Sequence, residues 1–218
     1  MSRAARGLYT RGPGLVRVLQ HYRPYICPFE ALIARTPRGA SVLDVGCGGG
    51  LFLALLMHSG RLGAGLGFDV SEAAIRAAQE MAAGAGFERV RFERRDLEEG
   101  WPEGAFDVVS IIDVMHHVPP AAQRDVIRTA ASRLKRGGLL IYKDMVRRPL
   151  WRAWANRLHD LALARQWIHY AAIEDVERWA IAEGLRQVAA ERHDRLWYGH
   201  ELRVFERDGV MEGERRDG

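Results

Sequence analysis

VLDVGCGGGLFLALL, residues 42–56, decides the fold. VLDV is an apolar run of strand length, four glycines at 46 and 48–50 then make a tight turn, and LFLALL begins an apolar stretch of helical length. A strand, a glycine turn and a helix in that order present backbone amides and a helix N-terminus to a ligand. The spacing decides which ligand. A phosphate-binding loop needs G-x-x-x-x-G-K-[ST], and no lysine follows Gly50. A dinucleotide fingerprint needs G-x-G-x-x-G, but its last glycine falls on Leu51 counted from Gly46 and on Leu53 counted from Gly48. What remains is an acid followed by alternate glycines: Asp44, Gly46, Gly48 and Gly50.

Outward from this stretch, apolar runs near 41–46, 63–69, 88–94, 105–112 and 138–144 predict strands. Leu51–Ser59, Ser71–Ala83 and Ala121–Leu134 predict helices between them, so the core is α/β with a mostly parallel, doubly wound sheet. Ser71 stands where an N-cap belongs, Gly84 and Gly86 end that helix, and Gly137 and Gly138 close the next. Residues 1–38 hold two weakly amphipathic stretches interrupted by Pro13, Pro24 and Pro28, which predicts short helices over the core. Leu150, Trp151, Trp154, Leu158 and Leu161 recur at helical spacing. A helix from Ile173 to Glu183, stopped by Gly184, precedes two strand-like runs that meet at Tyr198-Gly199, an antiparallel edge hairpin.

Composition narrows the class. The chain's 218 residues fit one domain, and 48% hydrophobic with 28% charged is the profile of a globular chain, not a disordered one. Apolar runs such as Leu51–Met57 fall far short of the roughly 20 residues that cross a bilayer. Arg3, Arg6 and Arg11 have no apolar core behind them, so no secretory signal is expected and the cytoplasm is the default. Cys27 and Cys47 are far apart, and a disulfide at Cys47 would block the glycine turn. The net charge of +4 comes almost wholly from arginine, the only lysines being Lys135 and Lys143, and reads as compositional bias before nucleic-acid binding.

With Asp44 and its glycines followed by LGFDVSEAAI (66–75), RFERRDLEE (91–99), FDVVSIIDVMHHVPP (106–120) and LKRGGLLIYKD (134–144), the chain resembles the class I S-adenosylmethionine-dependent methyltransferases over roughly residues 40–145. The resemblance implies a Rossmann-like, seven-stranded sheet with an antiparallel edge hairpin, N-terminal helices and a helical cap after the fifth strand. It implies a single domain: an N-terminal helical segment at 1–38, a cofactor core at 39–145, a substrate cap at 146–172, a C-terminal helix and edge strands at 173–207, and a tail at 208–218. It places S-adenosylmethionine against Asp44, Gly46, Cys47, Gly48, Gly50, Asp69, Val70, Asp96, Leu97 and Asp113. Asp69 would take the ribose hydroxyls and Asp96 the adenine amino group. The chemistry agrees, since a sulfonium cofactor without pyrophosphate needs acids and close backbone approach more than a cationic cradle.

Methyl transfer asks the protein for alignment, desolvation and sometimes a base. His116 and His117, after the fourth strand, are the candidate bases, able to deprotonate a phenol, hydroxyl or activated carbon. Asp113, His116 and His117 resemble in spacing the acid-x-x-acid-His cluster of quinone-biosynthesis O-methyltransferases, but a histidine replaces the second acid, so no metal is expected. No Asn-Pro-Pro-Tyr or Asp-Pro-Pro-Tyr follows the fourth strand, which argues against DNA amines as acceptors. The cap supplies Trp151, Trp154, His169 and Tyr170, which with Asp144 and Tyr198 suit an aromatic or lipid-like small-molecule acceptor. DRLWYGHELRVFER (194–207) has a fainter likeness to methyltransferases of bacterial aryl-polyene pigment synthesis. Rival readings are an RNA methyltransferase using the arginines of 3–38, and a non-catalytic cofactor-binding module. The same arginines are suited to an acidic carrier protein or a membrane surface.

Overall fold

The computed structural model describes residues 1–10, 14–145, 169–195 and 198–209. Seven strands form one sheet: β1 Ala40–Val45, β2 Leu62–Asp69, β3 Val90–Arg94, β4 Phe106–Ile112, β5 Leu134–Met145, β6 Leu185–Arg195 and β7 Tyr198–Arg207. Their order is β3-β2-β1-β4-β5-β7-β6; the first five run parallel, and β7 is antiparallel to both β5 and β6. Helices α1 Ser2–Leu8, α2 Gly14–Ile26, α3 Phe29–Arg35, α4 Leu51–His58, α5 Glu72–Ala85, α6 Pro120–Ser132 and α7 Ile173–Ala182 pack around it.

Side chains alternate across β1, so each face of the sheet acquires its own core. Val42 joins α1, α3, α4 and α5 on one face. Leu43 and Val45 join α6 and α7 on the other. Burial on both faces is why β1 and β4 read as near-continuous apolar runs. Helix α4 is apolar all round, and Leu51 through Leu56 are all buried, as a helix wedged between sheet and outer helices must be.

Strand order reverses between β1 and its two neighbours, β2 and β4. In such sheets the crevice for a ligand opens beyond the carboxyl ends of the strands at that switch point. The glycine turn after β1 lies there.

Local signals behave unevenly. The Ser71 hydroxyl accepts from the Ala74 amide at 3.3 Å and Gly86 takes the left-handed C-cap of α5, while Gly84 stays inside the helix. Gly137 and Gly138 do not close α6, which ends at Ser132. They lie within β5, where the register slips between Phe106 and Val108 and the chain must bulge. Pro28 falls at the break between α2 and α3, where it caps α3, as expected, but Pro24 sits inside α2 without ending it. Arg195 pairs with Tyr198 and Asp194 with Gly199, so Tyr198-Gly199 belongs to β7 and not to the turn. Trp151 and Trp154, with most of the cap, lie outside the described residues.

Candidate functional site

A cleft of about 780 Å³ opens at the carboxyl ends of β1, β2, β3 and β4. Of the expected cofactor residues, Gly46, Gly48, Asp69, Val70, Asp96, Leu97 and Asp113 line it. His117 stands in its wall as well, beside Val118 and Pro119.

The glycine turn is shaped from both sides. The Gly48 amide donates to Asp69 Oδ2 at 2.9 Å, tying the turn to the end of β2, and the Ser71 amide donates to Asp69 Oδ1 at 2.8 Å. These bonds hold the Asp69 carboxylate at the mouth of the cleft with lone pairs to spare for a diol. At Gly46 an added Cβ would stand 2.5 Å from Val114 Cγ2, so the backbone passes where no side chain fits. Gly50 has φ +79°, and its Cβ would meet the Phe92 ring at 2.5 Å. Gly50 therefore serves packing behind the turn and does not line the cleft. Cys47 does not line the cleft either: it is buried and its Sγ fills the space above Gly67.

Asp44 is buried beneath the turn, at the edge of a smaller adjoining cavity that it shares with Arg23 and Gly46. Burial pushes its pKa up to about 7, against the hydrogen bond that the Ser110 hydroxyl donates at 2.6 Å and the positive charge of Arg23. Asp96 caps a short helical turn, its carboxylate accepting from the Glu98 amide at 3.1 Å while the Asp96 amide donates to Glu99 Oε2 at 3.0 Å. Trp101 packs edge-on against Phe68 with ring centroids 5.5 Å apart, and both rings line the cleft. That aromatic wall escaped the sequence reading; the signal available was a tryptophan a few residues past Asp96.

Asp113 is the one described non-glycine residue at positive φ, +57°. Its carboxylate accepts from Lys143 Nζ at 2.5 Å and from Arg23 Nη2 at 3.2 Å. Burial raises its pKa, but Lys143 and then Arg23 outweigh it and hold the carboxyl well below the usual carboxylate range. The strained backbone is held by these two cations and by the Asp113 amide donating to the Lys143 carbonyl at 2.9 Å. Arg23 comes from α2, so the N-terminal segment reaches the site. Tyr9 also does, its hydroxyl donating to the Gly49 carbonyl at 2.6 Å, and Gln20 lies against Gly49. None of Tyr9, Gln20, Arg23 or Lys143 was predicted; the first three sit far from the motifs in sequence, and Lys143 lies inside LKRGGLLIYKD with nothing local to single it out.

The histidines divide their work. His116 is buried, and its Nδ1 lies 2.6 Å from Asp144 Oδ1; a carboxylate accepts, so Nδ1 donates. The His116 amide donates to Asp144 Oδ2 at 3.2 Å and the Met145 amide to Oδ1 at 2.7 Å. Asp144 is thus a buried anchor at the end of β5 and is not among the residues that line the cleft. The rings of His116 and His117 are 4.1 Å apart, so the anchored His116 backs the cleft-facing His117. Asp113 turns to its cations while His116 turns to Asp144, so the Asp113, His116 and His117 spacing does not converge; among the described residues no cluster of three His, Cys, Asp or Glu side chains is arranged to hold a metal ion. The Tyr170 ring stands 6.1 Å from His116. His169 is exposed, and only its backbone takes part: its amide donates to the His116 carbonyl and its carbonyl accepts from Gln123. Tyr198 opens β7 beside this edge.

Comparison with known proteins agrees with this geometry. Residues 19–190 match a family described as a methyltransferase domain. The chain is 36% identical over 114 residues to the ubiquinone biosynthesis O-methyltransferase of Albidiferax ferrireducens, an overlap covering 51% of this chain and 43% of that one. It thus spans less than half the length of that curated relative. Magnesium protoporphyrin IX methyltransferase from Synechocystis, solved with S-adenosylhomocysteine, has a similar fold with TM-score 0.69 at 20% identity, covering 94% of this chain and 93% of that one. An O-methyltransferase family 2 protein from Planctomyces limnophilus, solved with apigenin, has TM-score 0.70 at 21% identity, with coverage of 94% and 61%. The family match takes in well over half of the chain, and the protein therefore belongs to the methyltransferase domain family, with the class I fold its sequence predicts.

Proposed function

We propose that the protein moves a methyl group from S-adenosylmethionine to a hydroxyl of an apolar, aromatic or lipid-like small molecule, with His117 as the base. It is a methyltransferase by family, and the cleft fits S-adenosylmethionine. Its volume suits a nucleoside with an amino-acid tail, its floor includes Gly46, where no side chain fits, and the acids Asp69 and Asp96 and an aromatic wall border it. When bound, the cofactor supplies a methyl group already activated on a sulfonium centre.

The residues divide along the cleft. Asp69 accepts the ribose hydroxyls, while Asp96, Leu97 and Trp101 bound the adenine. Gly46 and Gly48 bring bare backbone to the amino-acid tail, and Arg23, held by Asp113, offers its carboxylate a cation. The expected cap at 146–172 is assigned to the acceptor, with Tyr170 at its described end.

The observation that carries the proposal is the His117–His116–Asp144 arrangement. Asp144 orients His116, and His116 packs behind His117, which faces the cleft and takes up the acceptor's hydroxyl proton. The curated relative's name, an O-methyltransferase of ubiquinone biosynthesis, supports oxygen as the acceptor atom and an apolar acceptor.

Turnover on a panel of apolar phenols tests it. His117→Gln is expected to lower kcat by about 100-fold or more while leaving affinity for S-adenosylhomocysteine within about twofold. Asp144→Asn is expected to lower kcat less and to displace the acid limb of the pH–rate profile, where a base loses activity by protonation, as a positioning residue should. A His117→Gln protein with wild-type kcat would remove the base from the mechanism.

A further inference from the structure

We infer that α2 docks the protein onto an anionic lipid bilayer through its outer face. Val18, Leu19, Tyr22 and Tyr25 are exposed by 48, 41, 64 and 44%. Positions 18, 22 and 25, with 19 beside them, fall on one side of a helix. The other side is spoken for: Gln20 and Pro24 are buried, and Arg23 reaches Asp113. A helix face turned to water is ordinarily polar, and this one carries four large apolar side chains in eight residues.

Charge says what covers it. Residues 1–29 contain five arginines and no aspartate or glutamate. Arg3 and Arg6 of α1 are exposed, and Arg6 Nη2 lies 3.2 Å from the Tyr25 hydroxyl, so a cation sits at the rim of the apolar face. Exposed aliphatic side chains and tyrosines with arginine at their rim suit the boundary between acyl chains and anionic headgroups. A second copy on the same face would set arginine against arginine with no acid in the segment to pair them. RNA would satisfy the arginines and tyrosines but leave Val18 and Leu19 without a partner.

The geometry has a consequence for catalysis. The helix that lies on the bilayer is also the one that carries Arg23 to Asp113 in the cleft wall, so docking brings the site close to the bilayer. Docking itself stands whatever the acceptor.

Cosedimentation of the chain with vesicles of phosphatidylcholine and phosphatidylglycerol, against pure phosphatidylcholine, tests this. Binding is expected to the anionic vesicles alone and to weaken with salt. Val18→Ser with Tyr22→Ser should cost at least about tenfold in partitioning, and Arg3→Gln with Arg6→Gln about fivefold per arginine. Both variants should bind S-adenosylhomocysteine like wild type, which separates lost docking from lost folding. Failure to bind vesicles, equal binding to neutral ones, or undiminished binding by the Val18/Tyr22 variant would overturn the inference. So would a concentration-dependent dimer, or salt-sensitive capture of RNA or of an acidic protein, abolished by those same serines while vesicle binding persists.

Discussion

Two buried titratable side chains, Asp44 and His200, respond to pH in opposite senses. Burial lifts Asp44 to about 7, against roughly 4 in an unfolded chain. Between those values the folded state holds a proton that the unfolded chain has lost, so this residue lowers stability as pH rises, by at most about 1.4 kcal/mol per pH unit. His200 is pushed down to about 4 by burial and the charge of Lys143, against roughly 6.5 unfolded. There the unfolded chain binds the extra proton, so stability is lost as pH falls from about 6.5 to about 4. In wild type the two slopes oppose each other across much of one window. Urea unfolding of Asp44→Asn should therefore show stability rising more steeply with pH than wild type, and His200→Gln should show it falling toward pH 7. Identical slopes in all three proteins would contradict the burial of both groups. The acid at 44 was legible from its spacing to the glycines. Its protonation was not, because burial depends on α2 and α3 folding over it.

At the scale of elements, the strand–turn–helix unit β1–α4 holds the site, and its glycines are not equivalent. Gly48 has φ +54°, and an added Cβ would find only the flexible Arg23 tip at 3.6 Å; Gly50 combines φ +79° with a Phe92 ring at 2.5 Å. Gly48→Ala should cost about 1–2 kcal/mol of left-handed strain. Gly50→Ala adds overpacking of about 1–3 kcal/mol to a similar strain. Denaturant midpoints read the difference, and equal losses would mean Phe92 simply yields. This unit was legible because strand, turn and helix signals are local and agree. The start of β5 was not. Gly137-Gly138 after a helical run resembles a C-cap, but pairing of β5 with β4 turns the pair into a bulge. Tyr198-Gly199 failed likewise, since the register between β6 and β7 is set by partners along both strands.

Across the whole molecule, the N-terminal helices and the cleft form one mechanical unit. Tyr9 bonds the Gly49 carbonyl, Gln20 packs on Gly49, and Arg23 bonds Asp113. A ligand that steadies the glycine turn should steady α1 and α2 too. S-adenosylhomocysteine at 100 times its Kd should stabilise the fold by about 2.7 kcal/mol, with amide exchange slowed in residues 2–8 and 17–26 as well as in the turn. Protection confined to the turn would uncouple the segments. Among the described residues no helix is long and apolar enough to cross a membrane. The sequence by itself determined the parallel α/β core, the cofactor class and the acids at the strand ends, because spacing and periodicity act over short stretches of chain. Only the tertiary structure decided that Asp144 anchors His116, that Lys143 and Arg23 clamp Asp113, and that α2 has an inward and an outward face. Those contacts join residues 28 to 90 positions apart, and such pairs are chosen by packing across the sheet and leave no periodic trace in the chain.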